Sequence, residues 1–214
     1  MTASLHVFER LAAFLPEFVA QNTGLENLCL KTIGFYPGAE TQPSEFSTFV
    51  QQVSRFPSIT KLRLSGWNIS TDTQVIHPCF HSLSTLHVSG VHSEFWRSLQ
   101  LANIQIRDLR NTDINMPLLQ YIASYSGLAN LSLSDLYSET LPEIDGIGAF
   151  FYEVVIPKHC TSLEELHICT WHHRQWCFNE AYSNSISQCM GLRGLSISLD
   201  DSLHGMCEVT VSSP

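Results

Sequence analysis

Leu128-Ala129-Asn130-Leu131-Ser132-Leu133-Ser134-Asp135-Leu136 is the stretch that decides the fold. Apolar residues occupy its positions 1, 4, 6 and 9, whereas small or polar residues occupy positions 3, 5 and 7. Because side chains alternate between the two sides of a strand, positions 3 to 7 predict a short strand with one buried face.

The spacing of positions 1, 4 and 6 recurs six more times in the chain. The further copies are Leu25-Leu28-Leu30, Ile59-Leu62-Leu64, Leu83-Leu86-Val88, Leu101-Ile104-Ile106, Leu163-Leu166-Ile168 and Leu192-Leu195-Ile197. Gly or Ser precedes every copy except one, which follows Gln100, and position 9 is apolar except at Asp200. The first positions lie 34, 24, 18, 27, 35 and 29 residues apart. The 18-residue step means either that the copy at Leu101 is misregistered by a few residues or that its unit lacks a helix.

The segments between the copies carry apolar residues at helical spacing, so the predicted unit is strand, loop, helix and loop. The predicted helices comprise residues 4–21 with an interruption at Pro16, Ser44 to Pro57, a short one at 92–99, one starting at Asn115-Met116-Pro117, a buried one at 147–156, and a last long one at 174–190. In the last helix, Trp176, Ala181, Ile186 and Met190 are predicted to face inward. The alternation from Cys207 to Val211 is typical of an eighth strand.

Composition limits the kinds of partner. The net charge is −9 with only 11 Lys and Arg, which argues against nucleic acid or anionic membrane as a general partner. Seven dispersed cysteines without a paired spacing favour reduced thiols and an intracellular location, cytoplasmic or nuclear. The most apolar run, 147–156, is too short to span a bilayer, and residues 1–21 lack a signal-peptide layout.

The pattern resembles a leucine-rich repeat over about residues 24–200. Irregular repeat length, the apolar position 9 and openings such as Gly127-Leu128, Ser162-Leu163 and Gly191-Leu192 resemble the divergent repeats of fungal, basidiomycete-type F-box proteins. The resemblance implies an α/β solenoid of about seven irregular repeats, an open horseshoe arc with a parallel inner sheet and outer helices. We expect one domain over 1–214, with an N-terminal helical cap or partial repeat at 1–23 and a C-terminal tail or partial repeat at 201–214.

In that family, an F-box module binds the adaptor of a ubiquitin ligase and the repeats hold the substrate. No F-box is recognisable in 1–214, so adaptor binding would require an F-box outside this chain. The resemblance therefore implies substrate recognition as the activity of the repeats.

Strand positions 3, 5 and 7 line the concave face, which is the usual binding surface of a solenoid. The predicted partner-binding residues are Lys31, Lys61, Arg63, His87, Arg107, Asn130, Glu165 and His167. Four of them, Lys31, Lys61, Arg63 and Arg107, predict a basic stripe for a protein partner or acidic peptide. The alternative is a solvated face without a ligand.

Catalytic and metal chemistry have weaker support. A His and Cys cluster comprises His167, Cys169, His172, His173 and Cys177, but no Cys-x-x-Cys occurs in the chain. Solvated loop histidines beside buried cysteines explain the cluster better, so we expect neither metal nor cofactor. No Gly-x-Ser-x-Gly elbow is present, and Glu164 and Glu165, as strand neighbours, would point to opposite sides. We therefore expect non-enzymatic protein recognition; the alternative is a structural or regulatory repeat fragment of a longer chain, and an enzyme ranks third.

Overall fold

A computed structural model describes residues 24, 26–31, 58–65, 80–89, 91, 93–135, 146–170, 178, 180–201 and 205–212. The chain forms two compact units, Met1–Ile104 and Gln105–Pro214. The helices predicted at 4–21 and from Ser44 to Pro57 lie outside the described residues.

In its described residues, the first unit contains three parallel strands in chain order. They are β1 (Asn27–Lys31), β2 (Lys61–Ser65) and β3 (Thr85–Val88). The strands pair at equal positions of the repeated pattern, so that Leu28 pairs with Leu62 and Leu62 with Leu86. Leu62 and Leu86 are buried, as the alternation predicts. Helix α1 (Ser93–Leu101) follows β3 and buries Trp96 completely.

Within the part of the second unit that the structure describes there are five strands, of which the last reverses direction. They are β4 (Asp108–Asn111), β5 (Asn130–Asp135), β6 (Glu165–Thr170), β7 (Gly194–Asp201) and β8 (Gly205–Ser212). Strands β4 to β7 are parallel and pair at equal positions of the pattern, whereas β8 is antiparallel to β7. The eighth strand predicted from the alternation is therefore present. Parallel strands joined through helices make this an α/β chain.

The predicted register of the fourth copy is wrong. Strand pairing aligns Leu109 with Leu131, so the true copy is Ile106-Leu109-Asn111 rather than Leu101-Ile104-Ile106. Leu101 is 79% exposed at the end of α1, whereas Leu109 is 0% exposed. The polar Asn111 is buried at position 6, where its side-chain amide N–H donates to the carbonyl of Asp113. With this shift the steps of 18 and 27 residues become 23 and 22.

A backbone ladder ties each copy to the next just before the strands begin. In each unit, the carbonyl at position 2 accepts hydrogen bonds from the N–H groups at positions 2 and 3 of the following copy. In the first unit, Glu26 and Thr60 provide these carbonyls, and in the second unit Arg107, Ala129 and Glu164 do so, with N···O distances from 2.7 to 3.1 Å. Because these ten bonds join main-chain atoms, neighbouring copies are aligned even where their side chains differ.

Helix α2 (Met116–Ala123) begins where the sequence predicts. The Asn115 side chain caps it, accepting from the backbone N–H of Leu118 at 2.9 Å. Pro117 lies in the first turn, where a missing N–H breaks no helical bond. Leu118, Leu119 and Ile122 are fully buried and form the inner face of the helix.

The buried helix predicted at 147–156 is present but is not uniform. It consists of α3 (Ile147–Phe150), a π-helical stretch (Phe151–Val155) and α4 (Ile156–His159). Pro157 lacks an N–H to donate and its ring crowds the preceding turn, which is consistent with the widened turn before it.

The last predicted long helix is much shorter than expected. Residues 171–177 lie outside the described part, and beyond them a 3₁₀ turn (Glu180–Tyr182) leads into α5 (Ser183–Ser187). Met190, predicted to face inward, is 90% exposed, and Ala181 is exposed as well. The serines explain the short helix, because the Ser183 and Ser187 hydroxyls donate to nearby carbonyls and compete with helical bonding. Among all helices of the described ranges, none has the length and apolar character needed to cross a bilayer.

Candidate functional site

The outward face of the first unit presents two basic side chains. Lys61 and Arg63 lie on β2 at positions 3 and 5 of the repeated pattern, and both are exposed. Leu62 and Leu64 point into the core. The register places Arg63 beside Cys29 on β1 and beside the half-buried His87 on β3. Lys61 and Arg63 therefore lie on β2 with exposed side chains, and His87 lies beside them on β3; their role in partner binding stays a prediction.

The two charges on β2 have no counter-ion in the described part of the chain. Lys61 and Arg63 make neither an ion pair nor a side-chain hydrogen bond with any described residue. Their Cα atoms are two residues apart on one strand, a separation of about 7 Å. Lys31, the third predicted member, ends β1 and pairs with Ser65, but its side chain lies outside the described residues.

The outward face of the second unit is mixed in charge. One row across the strands consists of Asp108, Asn130, Glu165 and Gly194, and the next consists of Arg110, Ser132, His167 and Ser196. Arg110 and Glu165 are exposed, and Asn130 and His167 are half-buried. Arg110 Nε lies 3.9 Å from Asp108 Oδ1, so part of its charge is balanced locally.

Two serines expected on a solvated face are buried instead. Ser196 is 6% exposed and Ser198 is 7% exposed. Strand β8 runs beside them, and the Thr210 hydroxyl donates to Ser196 Oγ at 3.2 Å. The predicted eighth strand thus borders this end of the face, antiparallel to β7, which the alternation did not indicate.

Arg107 is not on the strand face, so its predicted placement at position 7 is wrong. In the corrected register it occupies position 2, ahead of β4. Its Nη2 lies 3.7 Å from Glu164 Oε1, and Arg193 Nη1 lies 3.9 Å from Glu164 Oε2. The three side chains border a cavity of about 300 Å³. This cluster was not predicted from the sequence, because the misregistered copy placed Arg107 at position 7 on the strand face instead of position 2 before β4.

The His and Cys cluster lies only partly within the described residues. His167 and Cys169 share one face of β6, but His172, His173 and Cys177 lie outside the described residues. Within the described ranges, no group of three His, Cys, Asp or Glu side chains converges as a metal ligand set.

No protein-family model, curated protein or solved structure matches this chain. The functional interpretation therefore depends on the geometry of its own residues.

The sequence analysis also missed His159, a buried side chain that joins two copies of the pattern. His159 is 2% exposed, and its Nδ1 accepts from the backbone N–H of Leu128 at 3.2 Å. Because Nδ1 must accept, Nε2 carries the proton and donates to the carbonyl of Ile122 at 3.0 Å. The Tyr125 ring packs edge-on against the imidazole with the centroids 5.4 Å apart. A lone histidine at a helix end carries no sequence signal of these bonds.

We expect His159 to make the fold acid-sensitive. Burial lowers the pKa of His159 below 6.5, the nearby Lys158 charge lowers it further, and the bond to the Ile122 carbonyl opposes both. The unfolded chain would gain a proton near pH 6.5 while the folded chain would not, so stability falls as pH drops below that value. Urea unfolding between pH 7.5 and pH 5 checks this: the loss should be smaller in His159→Gln and unchanged in His81→Gln, whose side chain is exposed. Equal pH slopes for all three proteins would contradict it.

Proposed function

We propose that the chain is a leucine-rich-repeat solenoid that binds a protein partner through its outward strand face and catalyses no reaction. Parallel strands that pair at equal positions in each unit support the repeat assignment. The corrected first positions lie 34, 24, 23, 22, 35 and 29 residues apart, close to the roughly 20–29 residues of such repeats, with insertions in the longer units.

One observation carries the binding proposal. Lys61 and Arg63 are exposed on neighbouring outward positions and have no counter-ion among the described residues. In a chain of net charge −9, such a patch attracts an acidic segment that the rest of the surface repels. An acidic peptide or loop is therefore the proposed partner, and its electrostatic attraction would speed association. By resemblance, the partner is a ubiquitin-ligase substrate.

A second candidate is a structural or regulatory repeat fragment of a longer chain. Strand β8 favours it, because Val209 is 37% exposed and Val211 is 59% exposed. They pair with Ile197 and Leu195 and so continue the apolar face of β7. Further chain packed against β8 would cover these side chains and remove an adhesive edge.

We expect the double variant Lys61→Glu/Arg63→Glu to lose partner binding by about tenfold or more, since it replaces attraction by repulsion. A fluorescent acidic peptide, followed by anisotropy over a salt series, and affinity capture from a native fungal lysate both measure this. The matched control is Arg97→Glu/Lys158→Glu, which reverses two exposed charges elsewhere and changes the net charge equally.

The outcomes separate the two candidates. Recognition is supported if the control variant still binds the peptide and captures a discrete partner while Lys61→Glu/Arg63→Glu does neither. Ubiquitin-ligase components among the captured proteins would support the F-box context. Equal binding by the wild type and by Lys61→Glu/Arg63→Glu would contradict the proposed site. If neither the wild type nor the control binds anything, the repeat-fragment candidate is favoured.

A further inference from the structure

The cavity bordered by Arg107, Glu164 and Arg193 lies where strands β4 to β7 begin. Position 2 of the four consecutive copies is occupied by Arg107, Ala129, Glu164 and Arg193. Adjacent strands are about 4.8 Å apart, so Arg107 must reach across the Ala129 position, about 10 Å, to approach Glu164. The small Ala129 side chain and the absence of one at Gly127 leave the space between them open.

The charges around the cavity do not cancel. Two guanidinium groups share one carboxylate, at 3.7 Å and 3.9 Å, so the rim carries one net positive charge. These distances exceed the roughly 2.8 Å of a close charge-assisted hydrogen bond. The side chains are 70%, 40% and 76% exposed for Arg107, Glu164 and Arg193, so solvent weakens the ion pairs between them.

We propose that this cavity binds a carboxylate, supplied by a small organic acid or by an acidic residue of a peptide. The guanidinium fork matches the two oxygens of a carboxylate, and the cluster already holds one such group between its arginines. A single negative charge balances the rim, whereas Glu164 repels a multiply charged anion such as phosphate.

The volume and the remaining lining fit this assignment. A cavity of about 300 Å³ exceeds a bare carboxylate and is at the lower end of small-ligand sites, so the rest of the ligand has room. Thr161 and Ser162 line the same space. The Ser162 hydroxyl already donates to the carbonyl of Leu128 at 2.8 Å, so the arginines rather than this hydroxyl supply the donors for a carboxylate.

The test is a two-dimensional NMR titration of the full chain at constant ionic strength. The probe is acetyl-Glu-amide, which has one carboxylate, and its control is the neutral acetyl-Gln-amide. We expect only the acid to shift the amide resonances of Gly127, Ala129 and Gly191 in a saturable way. Arg107→Ser/Arg193→Ser should weaken binding about tenfold or more, and Arg97→Ser, an exposed arginine paired with Glu94, should not.

Glu164→Gln separates a ligand site from an ion-pair network that only stabilises the fold. A ligand site predicts severalfold tighter binding, because the competing carboxylate is gone. The peptide acetyl-Ala-Ala-Glu-Ala-Ala-amide identifies the source: tighter binding than the single residue assigns a peptide, and equal binding assigns a small acid.

Three results would overturn the proposal. They are equal responses to the acid and the amide, unchanged affinity in the double arginine variant, and tighter binding of inorganic phosphate than of the acid. The inference is independent of the strand face, since Lys61→Glu/Arg63→Glu should leave this affinity unchanged.

Discussion

His159→Ala should destabilise the protein by roughly 3–5 kcal/mol, because it leaves two buried backbone groups without a partner at about 1–3 kcal/mol each and opens a cavity. The orphaned groups are the N–H of Leu128 and the carbonyl of Ile122, which the imidazole joins at 3.2 Å and 3.0 Å. Leu128 starts one copy of the pattern, and Ile122 lies in the helix of the preceding copy. Losing the imidazole therefore removes a link between neighbouring copies. Urea unfolding at pH 7.5 measures the change.

The backbone of His159 supports the same contact and defines the controls. Its carbonyl accepts from the N–H groups of Ser162 and Leu163, both at 2.9 Å, and these bonds survive any substitution of the side chain. Any loss therefore reports on the imidazole rather than on the turn. His159→Phe fills the space without the hydrogen bonds and should recover only part of the stability, whereas His81→Ala, on an exposed histidine, should change little. A loss below about 1 kcal/mol in His159→Ala would show that water replaces the imidazole.

Tyr152→Ala is the second substitution with a large expected effect, about 3–5 kcal/mol, as for other buried aromatic truncations. Tyr152 is fully buried in the π-helical stretch between α3 and α4. Its ring is stacked on Tyr182, with centroids 4.4 Å apart and planes 13° apart, and it meets Phe151 edge-on at 5.1 Å. The half-buried Tyr182 leads into α5, so this ring stacking helps to hold the short last helix against the core.

Hydrogen exchange locates the effect of Tyr152→Ala. We expect faster exchange over 180–187, because α5 contains no buried residue of its own to keep it in place. Tyr152→Phe keeps the ring contacts and should cost far less, which makes it the matched control. If the two variants lose equal stability, the hydroxyl rather than the ring is responsible. If 180–187 exchanges no faster, another contact secures α5.

Local patterns predicted the copies that obey them fully. Leu62, Leu86, Leu131 and Leu166 alternate with polar neighbours over several positions, and each is buried in a strand. The start of α2 was predictable for a similar reason, because the Asn115 cap and Pro117 act within one turn of the chain. Where the chemistry is local, sequence suffices.

The remaining features depend on partners distant in sequence. Two candidates for the fourth copy, starting at Leu101 and at Ile106, lie within a few residues of each other. Only the pairing with β5 selects the second, which ends in the polar Asn111. That choice moved Arg107 from the strand face to the edge with Glu164 and Arg193. The direction of β8 was equally unreadable, since alternation is the same in parallel and antiparallel strands.

By itself, the sequence determined a repeated strand with one apolar side and the basic outward positions on β2, because alternation and turn chemistry act between near neighbours. Only the tertiary structure decided the fourth register, the partners of His159 and the arginine-bordered cavity. The bonds of His159 join residues about 30 or more positions apart, and contacts at that distance produce no periodic pattern in the sequence. The register and the cavity depend on which strands pair with each other.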